Sequence, residues 1–292
     1  MKLPLQTFGG TWTDEKLERV RKYLVAYATI MNKQNFRFAY IDAFAGTGYR
    51  TREQHQRPLA KIFPEIFEQE SQQFLDGSAR IALQVRPRFT KYIFIERDKN
   101  RIAELEKLKS EFDVPPNDIR LVHDDANSYL QDLCRNHNWT KNRAVLFLDP
   151  FGMQVTWETI AAIADTEAID LWILFPLSAV NRLLKRNGEI STAWRESLNE
   201  MFGASDWYDV FYRTRKEMDL LGERTTTVKV ATFDLIGRYF VQRLKTIFAG
   251  VSDNPLPLFN STNSPLYLLC FASANPKGSK TAIKIAEDIL RR

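Results

Sequence analysis

The chain has 292 residues, and its 44% hydrophobic and 26% charged content is the balance of a globular protein. No run of about 18 apolar residues predicts a membrane span, and the N-terminus lacks the apolar core of a signal peptide, so we expect a cytoplasmic protein with no membrane partner. The spacing of Cys134 and Cys270 predicts neither a disulfide framework nor a metal site. The net charge of +5 is compatible with nucleic acid as a partner.

Strand-like apolar runs alternate with helical patterns along most of the chain. An amphipathic helix comes first, with apolar residues recurring from Leu17 to Met31. Five strand-like runs follow, each before a helical pattern: 38–42, 92–96, 119–122, 144–149 and 171–175. Nearly continuous apolar strands are typical of parallel sheets covered on both faces. The repeated strand–helix units therefore predict a doubly wound α/β sheet.

Two stretches interrupt this alternation of strand-like and helical segments. They are interpreted as insertions in a single domain spanning 1–292. The first, about 49–89, is basic at its start, and the second, 187–224, has a mostly helical pattern. A helix over 228–248 and a proline-rich turn then precede a strand over 266–272. Because a turn-rich segment leads directly into this last strand, we expect it to pair antiparallel. The prediction is a seven-stranded, mostly parallel sheet with one antiparallel strand.

The segment directly after the first strand is the first candidate ligand site. It contains the residues of a tight turn that a ligand can approach closely: Asp42, Ala43, Phe44, Ala45, Gly46 and Gly48. Position 51 is threonine instead of the third glycine of a dinucleotide fingerprint, and the Lys-Ser/Thr pair of a P-loop is absent. A ligand without phosphates, such as S-adenosylmethionine, therefore fits better than NAD or ATP. The alternative is a plain strand-to-helix turn.

Two further carboxylates follow the next strands and complete the predicted cofactor site. Glu96 ends the second strand, where a carboxylate accepts hydrogen bonds from ribose hydroxyls; otherwise it is a solvated strand-end acid. Asp125 and Ala126 follow the third strand, where Asp125 either accepts from an adenine amino group or caps a helix. For that helix, Asn127 or Ser128 is also a candidate cap. Open α/β sheets bind ligands at the carboxyl ends of their strands. The position of these residues therefore favours the interpretation that they form one cofactor site.

The corner after the fourth strand is the candidate reaction centre. It reads Asp149-Pro150-Phe151. Asp149 and the Pro150 carbonyl can hold an exocyclic amino group in line with a methyl donor, while Phe151 stacks on a base. Such a transfer needs positioning and no metal. The alternative is a rigid corner with a buried phenylalanine.

These motifs together resemble the three-Cys-motif partner proteins. The resemblance covers nearly the whole chain and includes Lys16-Leu17, residues 40–48, Ser78, residues 94–96 and residues 147–152. It implies a class I, Rossmann-like methyltransferase fold and a three-Cys-motif, radical-SAM-like protein as partner. The chain departs from the amino-methyltransferase pattern Asp/Asn-Pro-Pro-aromatic, because Phe151 stands where the second proline would be.

Three functions follow as hypotheses from these residues and from the resemblance. The first is an S-adenosylmethionine-dependent methyltransferase that acts on an amine, with a nucleobase of DNA or RNA as the candidate acceptor. Nucleic acid would then contact the basic start of the first insertion, which contains Arg50, Arg52, Arg57 and Lys61. The second is a non-catalytic, methyltransferase-like subunit that holds a three-Cys-motif protein. The third and least favoured is an NAD-dependent oxidoreductase, because the last glycine of the dinucleotide fingerprint is missing.

Overall fold

The computed structural model describes residues 11–43, 77–150, 152–219, 222–260 and 262–291. The strands in these ranges are β1 Arg37–Ala43, β2 Lys91–Glu96, β3 Ile119–His123, β4 Asn142–Leu148, β5 Ile169–Phe175, β6 Tyr212–Asp219, β7 Gly222–Lys229, β8 Gly250–Val251, β9 Leu256–Phe259 and β10 Pro265–Ser273. The helices are α1 Thr11–Met31, α2 at 77–84, α3 Lys99–Ser110, α4 Ala126–Asn136, α5 Trp157–Asp165, α6 Leu177–Leu183, α7 Thr192–Phe202, α8 Trp207–Phe211, α9 Phe233–Lys245 and α10 Ser279–Leu290. Within these ranges, no helix combines the length and the apolar character needed to cross a bilayer.

The central sheet has the order β3-β2-β1-β4-β5-β10-β8, with β9 also paired to β10. Strands β1 to β5 are parallel to their neighbours, and β10 runs antiparallel to β5. This order, with the reversed strand next to β5, is that of the Rossmann-like class I methyltransferase fold. The predicted mostly parallel sheet and the antiparallel final strand are therefore confirmed.

The predicted count of seven strands is wrong, because the described sheet has eight. Both β8 and β9 pair with the same edge of β10, Val251 opposite Ala272 and Leu256 opposite Leu269. The chain bends at Asp253 between them, and Pro255 has no N–H to continue a ladder. One edge position is thus divided into two short strands.

Two hydrophobic layers enclose the sheet. One layer contains buried residues of α4, α5, α6, α7 and α9, and the other contains buried residues of α1, α2, α3 and α10. Strand β1 contributes alternately to both, with Ile41 in the first layer and Tyr40 in the second. Every residue of β5 is buried, which explains its continuous apolar run.

The second insertion contains helices α7 and α8, as its helical pattern predicts, but it ends in a β-hairpin that was not expected. Strands β6 and β7 form a separate two-stranded sheet. The predicted helix over 228–248 is also too long, since residues 228 and 229 still belong to β7. The run Thr225-Thr226-Thr227-Val228 is β-branched, and such residues favour strands. Helix α9 begins only after Thr232, whose side chain accepts a hydrogen bond from Leu235 N at 3.1 Å.

Candidate functional site

Parallel pairing brings the predicted site residues to one edge of the sheet. Ala43, the last residue of β1, lies opposite Ile95 on one side and Leu148 on the other. Glu96 and Asp149 follow these two partners directly in sequence. Glu96 in turn lies opposite His123 at the end of β3. The carboxyl ends of β1, β2, β3 and β4 thus meet at the edge where open α/β sheets bind ligands.

Asp42 is a fully buried carboxylate on the side of β1 that faces α1 and α2. Its Oδ2 accepts hydrogen bonds from the Tyr40 hydroxyl at 2.9 Å and from Ser78 Oγ at 2.7 Å. Its Oδ1 is buried and has no hydrogen-bond partner among the described residues. Burial raises the pKa of Asp42 to about 7, although the hydrogen bonds from the two hydroxyl groups lower it. Asp42 therefore changes charge near neutral pH.

Glu96 is also a buried carboxylate, with only 4% of its surface exposed. Its Oε1 accepts a hydrogen bond from Asp98 N, whereas Oε2 has no partner in the described part of the chain. Burial raises the pKa of Glu96 to about 7, although the backbone N–H groups of Asp98 and Arg97 lower it. A buried acceptor without a donor is costly, so Oε2 is suited to accept a ligand hydroxyl.

Asp125 begins α4 as its cap. Its Oδ1 accepts a hydrogen bond from Ser128 N at 3.1 Å, and Ala126 is the first, buried residue of the helix. The expectation that Asn127 or Ser128 caps this helix is wrong. The Asn127 side chain instead accepts from Thr156 N at 3.1 Å and joins α4 to α5.

Asp149 lies directly after β4 and forms an ion pair with Lys16 of α1. Lys16 Nζ lies 3.0 Å from Asp149 Oδ2, and the side chains are 1% and 17% exposed, respectively. Burial raises the pKa of Asp149 more than the Lys16 ammonium lowers it. Pro150 is buried. Asp149 therefore has one oxygen held by a cation and a small exposed fraction at the sheet edge.

Part of the predicted site lies outside the described residues: Phe44, Ala45, Gly46, Gly48 and Phe151. The same is true of the basic start of the first insertion: Arg50, Arg52, Arg57 and Lys61. Their predicted roles stay predictions. The described members lie at the same edge, as expected: Asp42, Ala43, Glu96, Asp125, Ala126, Asp149 and Pro150.

The contacts of the site include three residues whose part in it the sequence analysis did not find: Lys16, Tyr40 and Ser78. Lys16 was identifiable, because it lies four residues before Val20 and seven before Tyr23, on the apolar stripe of α1. A lysine on such a stripe needs a buried partner. No local pattern pointed to Ser78, whose contact with Asp42 spans 36 residues.

Neither a protein-family model nor a curated protein matches this sequence. Among solved structures, the yhhF protein of Escherichia coli, provisionally named a methyltransferase, is 16% identical; the match covers 79% of this chain and 93% of that one, with a TM-score of 0.30. Spermidine synthase from Thermotoga maritima is 13% identical over 91% of this chain, which spans 60% of that protein, with a TM-score of 0.40. The plantazolicin methyltransferase BpumL, solved with SAH, is 8% identical. The match covers 90% of this chain and 84% of that one, with a TM-score of 0.30.

Proposed function

We propose that this chain binds S-adenosylmethionine at the carboxyl edge of β1, β2 and β3 and transfers its methyl group to an amine. The observation that carries the proposal is Glu96 Oε2, a buried acceptor with no partner among the described residues, at the end of β2. A ribose offers two hydroxyl donors to such a carboxylate. Asp42, with its own unpartnered Oδ1, adds a second acceptor on the adjacent strand.

The acceptor amine is proposed to sit at Asp149 and the Pro150 carbonyl, with a nucleobase amino group as the favoured acceptor class. Strand β4 is adjacent to β1, so this corner lies beside the proposed cofactor position. In the transfer, the nitrogen lone pair bonds to the methyl carbon, the carbon–sulfur bond breaks with its electrons on sulfur, and the nitrogen releases a proton. The chain contributes orientation, since in-line positioning supplies much of the rate in such reactions.

A second candidate function is a non-catalytic, methyltransferase-like subunit that binds a three-Cys-motif, radical-SAM-like protein. The Lys16–Asp149 ion pair favours it, because an aspartate held by a buried lysine also serves as a structural corner. Phe151 in place of a second proline favours it as well. Co-purification of the two proteins without methyl incorporation into nucleic acid would support this candidate.

Calorimetric titration with S-adenosylmethionine and with its demethylated product tests the leading proposal. Glu96→Ala should weaken binding by about 1.5–3 kcal/mol, the usual effect of losing bonds to a charged acceptor. The matched control is Glu196→Ala, which removes an exposed glutamate of α7 and should leave affinity unchanged. No binding to the unmodified protein, or tight NAD binding instead, would overturn the proposal.

A further inference from the structure

The β6–β7 hairpin is anchored at its base. Its strands pair with each other and, within the described ranges, with no strand of the main sheet. At the base, the Tyr212 hydroxyl donates to the Lys185 carbonyl at 2.9 Å, and Lys229 N donates to the Arg186 carbonyl at 3.0 Å. The Lys229 ammonium also donates to Asn181 Oδ1 at 2.7 Å. These bonds fix the hairpin to α6 and to the segment that follows it.

One face of the hairpin carries two exposed arginines. Arg213 and Arg215 are two residues apart on β6, so their side chains leave the same face, about 7 Å apart by the rise of a strand. The residues opposite them on β7 are Val228 and Thr226, which carry no charge. The guanidinium groups therefore have no carboxylate directly across the strand pair.

Arg186 is a third exposed arginine, at the base of β7, where its carbonyl accepts from Lys229 N. Burial, and then the positive charge of Arg186, lower the pKa of the neighbouring Lys229. In the described part of the chain, neither Arg186 nor the two hairpin arginines form an ion pair or a side-chain hydrogen bond. We call Arg186, Arg213 and Arg215 the hairpin basic surface.

The acidic residue closest to Arg186 in sequence is Glu189, and it does not pair with the arginine. Its carboxylate accepts a hydrogen bond from Asn187 Nδ2 at 2.8 Å. Within the described residues, the three arginines of the hairpin basic surface therefore have no carboxylate partner.

We propose that the hairpin basic surface binds the phosphate backbone of a nucleic acid. Arginine binds phosphate with paired N–H groups and is weakly hydrated, so exposed arginines without partners suit a polyanion. A two-stranded β-ribbon also has the dimensions that the major groove of a duplex admits. The proposal does not depend on cofactor binding, because none of its residues belongs to the carboxyl edge of the main sheet.

Fluorescence anisotropy with labelled single strands and duplexes, each titrated across a range of salt concentrations, tests the proposal. The variant is Arg213→Gln/Arg215→Gln. The matched control is Lys280→Gln/Lys284→Gln, which removes the same charge from two exposed positions of α10. The single variant Arg186→Gln measures the contribution of the base of the surface separately from that of the two hairpin arginines. Melting curves and S-adenosylmethionine titration are recorded for all four proteins, because the substituted side chains are exposed and should leave both unchanged.

The hairpin double variant should raise the Kd about tenfold or more and reduce the slope of log Kd against log salt by about 1.5, from two lost phosphate contacts. Arg186→Gln should reduce the slope by about half as much. The α10 control should match the unmodified protein. Equal losses in the α10 control, unchanged binding in the hairpin variant, or no measurable binding at low salt would overturn the proposal. Displacement of the probe by polyglutamate or anionic vesicles at equal charge would also overturn it, in favour of an acidic polypeptide or a lipid surface.

Discussion

Lys16 Nζ of α1 lies 3.0 Å from Asp149 Oδ2, and this ion pair joins segments 133 residues apart in sequence. It ties the first helix to the corner after β4, where the acceptor is proposed to bind. Asp42 lies near both groups: its pKa is raised by the charge of Asp149 and lowered by that of Lys16. Burial is the main cause of the raised pKa of Asp42, and the charge of Lys16 on the first helix acts against it.

Lys16→Met should lower the free energy of unfolding by about 3 kcal/mol, because it leaves the Asp149 carboxylate without its cation in a largely buried position. Urea denaturation at neutral pH measures this. Lys22→Met on the same helix is the control, since the Lys22–Glu18 pair is exposed and should contribute less than about 1 kcal/mol. Equal stability of the two variants would contradict a role for the ion pair. Adding Asp149→Asn to Lys16→Met should restore part of the loss, since the uncompensated charge is then gone.

Asp149→Ala should reduce methyl transfer on the order of 100-fold per folded molecule while leaving cofactor affinity nearly unchanged. Asp149→Asn should be milder, because it keeps an acceptor oxygen for the amine. Both variants disturb the Lys16 ion pair, so a lower melting temperature by itself does not distinguish a catalytic role from a structural one. Lys16→Met provides the comparison, since it breaks the pair and retains the carboxylate. If it slows transfer as much as Asp149→Ala does, Asp149 acts through the ion pair alone.

Cofactor affinity should fall as the pH decreases from about 8 to about 6. The pKa of Glu96 is raised to about 7, so the carboxylate is mostly ionised at the upper pH and mostly protonated at the lower. Protonation removes its capacity to accept two hydroxyl hydrogens, and the Kd should rise by up to about tenfold per pH unit below the pKa. Calorimetry at a series of pH values measures the change.

Glu96→Gln should flatten this pH dependence, because glutamine does not titrate. A dependence that persists in Glu96→Gln would assign the titration to Asp42, whose pKa is also raised to about 7. A Kd that does not change with pH in the unmodified protein would contradict the placement of Glu96 at the ligand.

The sequence by itself determined the α/β class and the edge of the sheet that carries the site. The continuous apolar runs of β1, β2, β4 and β5 identified parallel strands, because a strand covered on both faces has to be apolar throughout. Parallel strands end on one side, so the placement of Glu96 and Asp149 at a shared edge followed without coordinates. The reversed direction of β10 followed from the short, turn-rich segment before it.

Only the tertiary structure decided which partners these residues have. The contacts of Asp42 with Ser78 and of Asp149 with Lys16 join residues far apart in sequence, and no local periodicity encodes such pairs. The hairpin that ends the second insertion, after helices α7 and α8, was likewise missed, as was the division of the edge strand into β8 and β9. Strand pairing depends on where distant segments meet. Burial raised the pKa values of Asp42 and Glu96, and burial of a carboxylate is a property of the packed fold rather than of its neighbours in sequence.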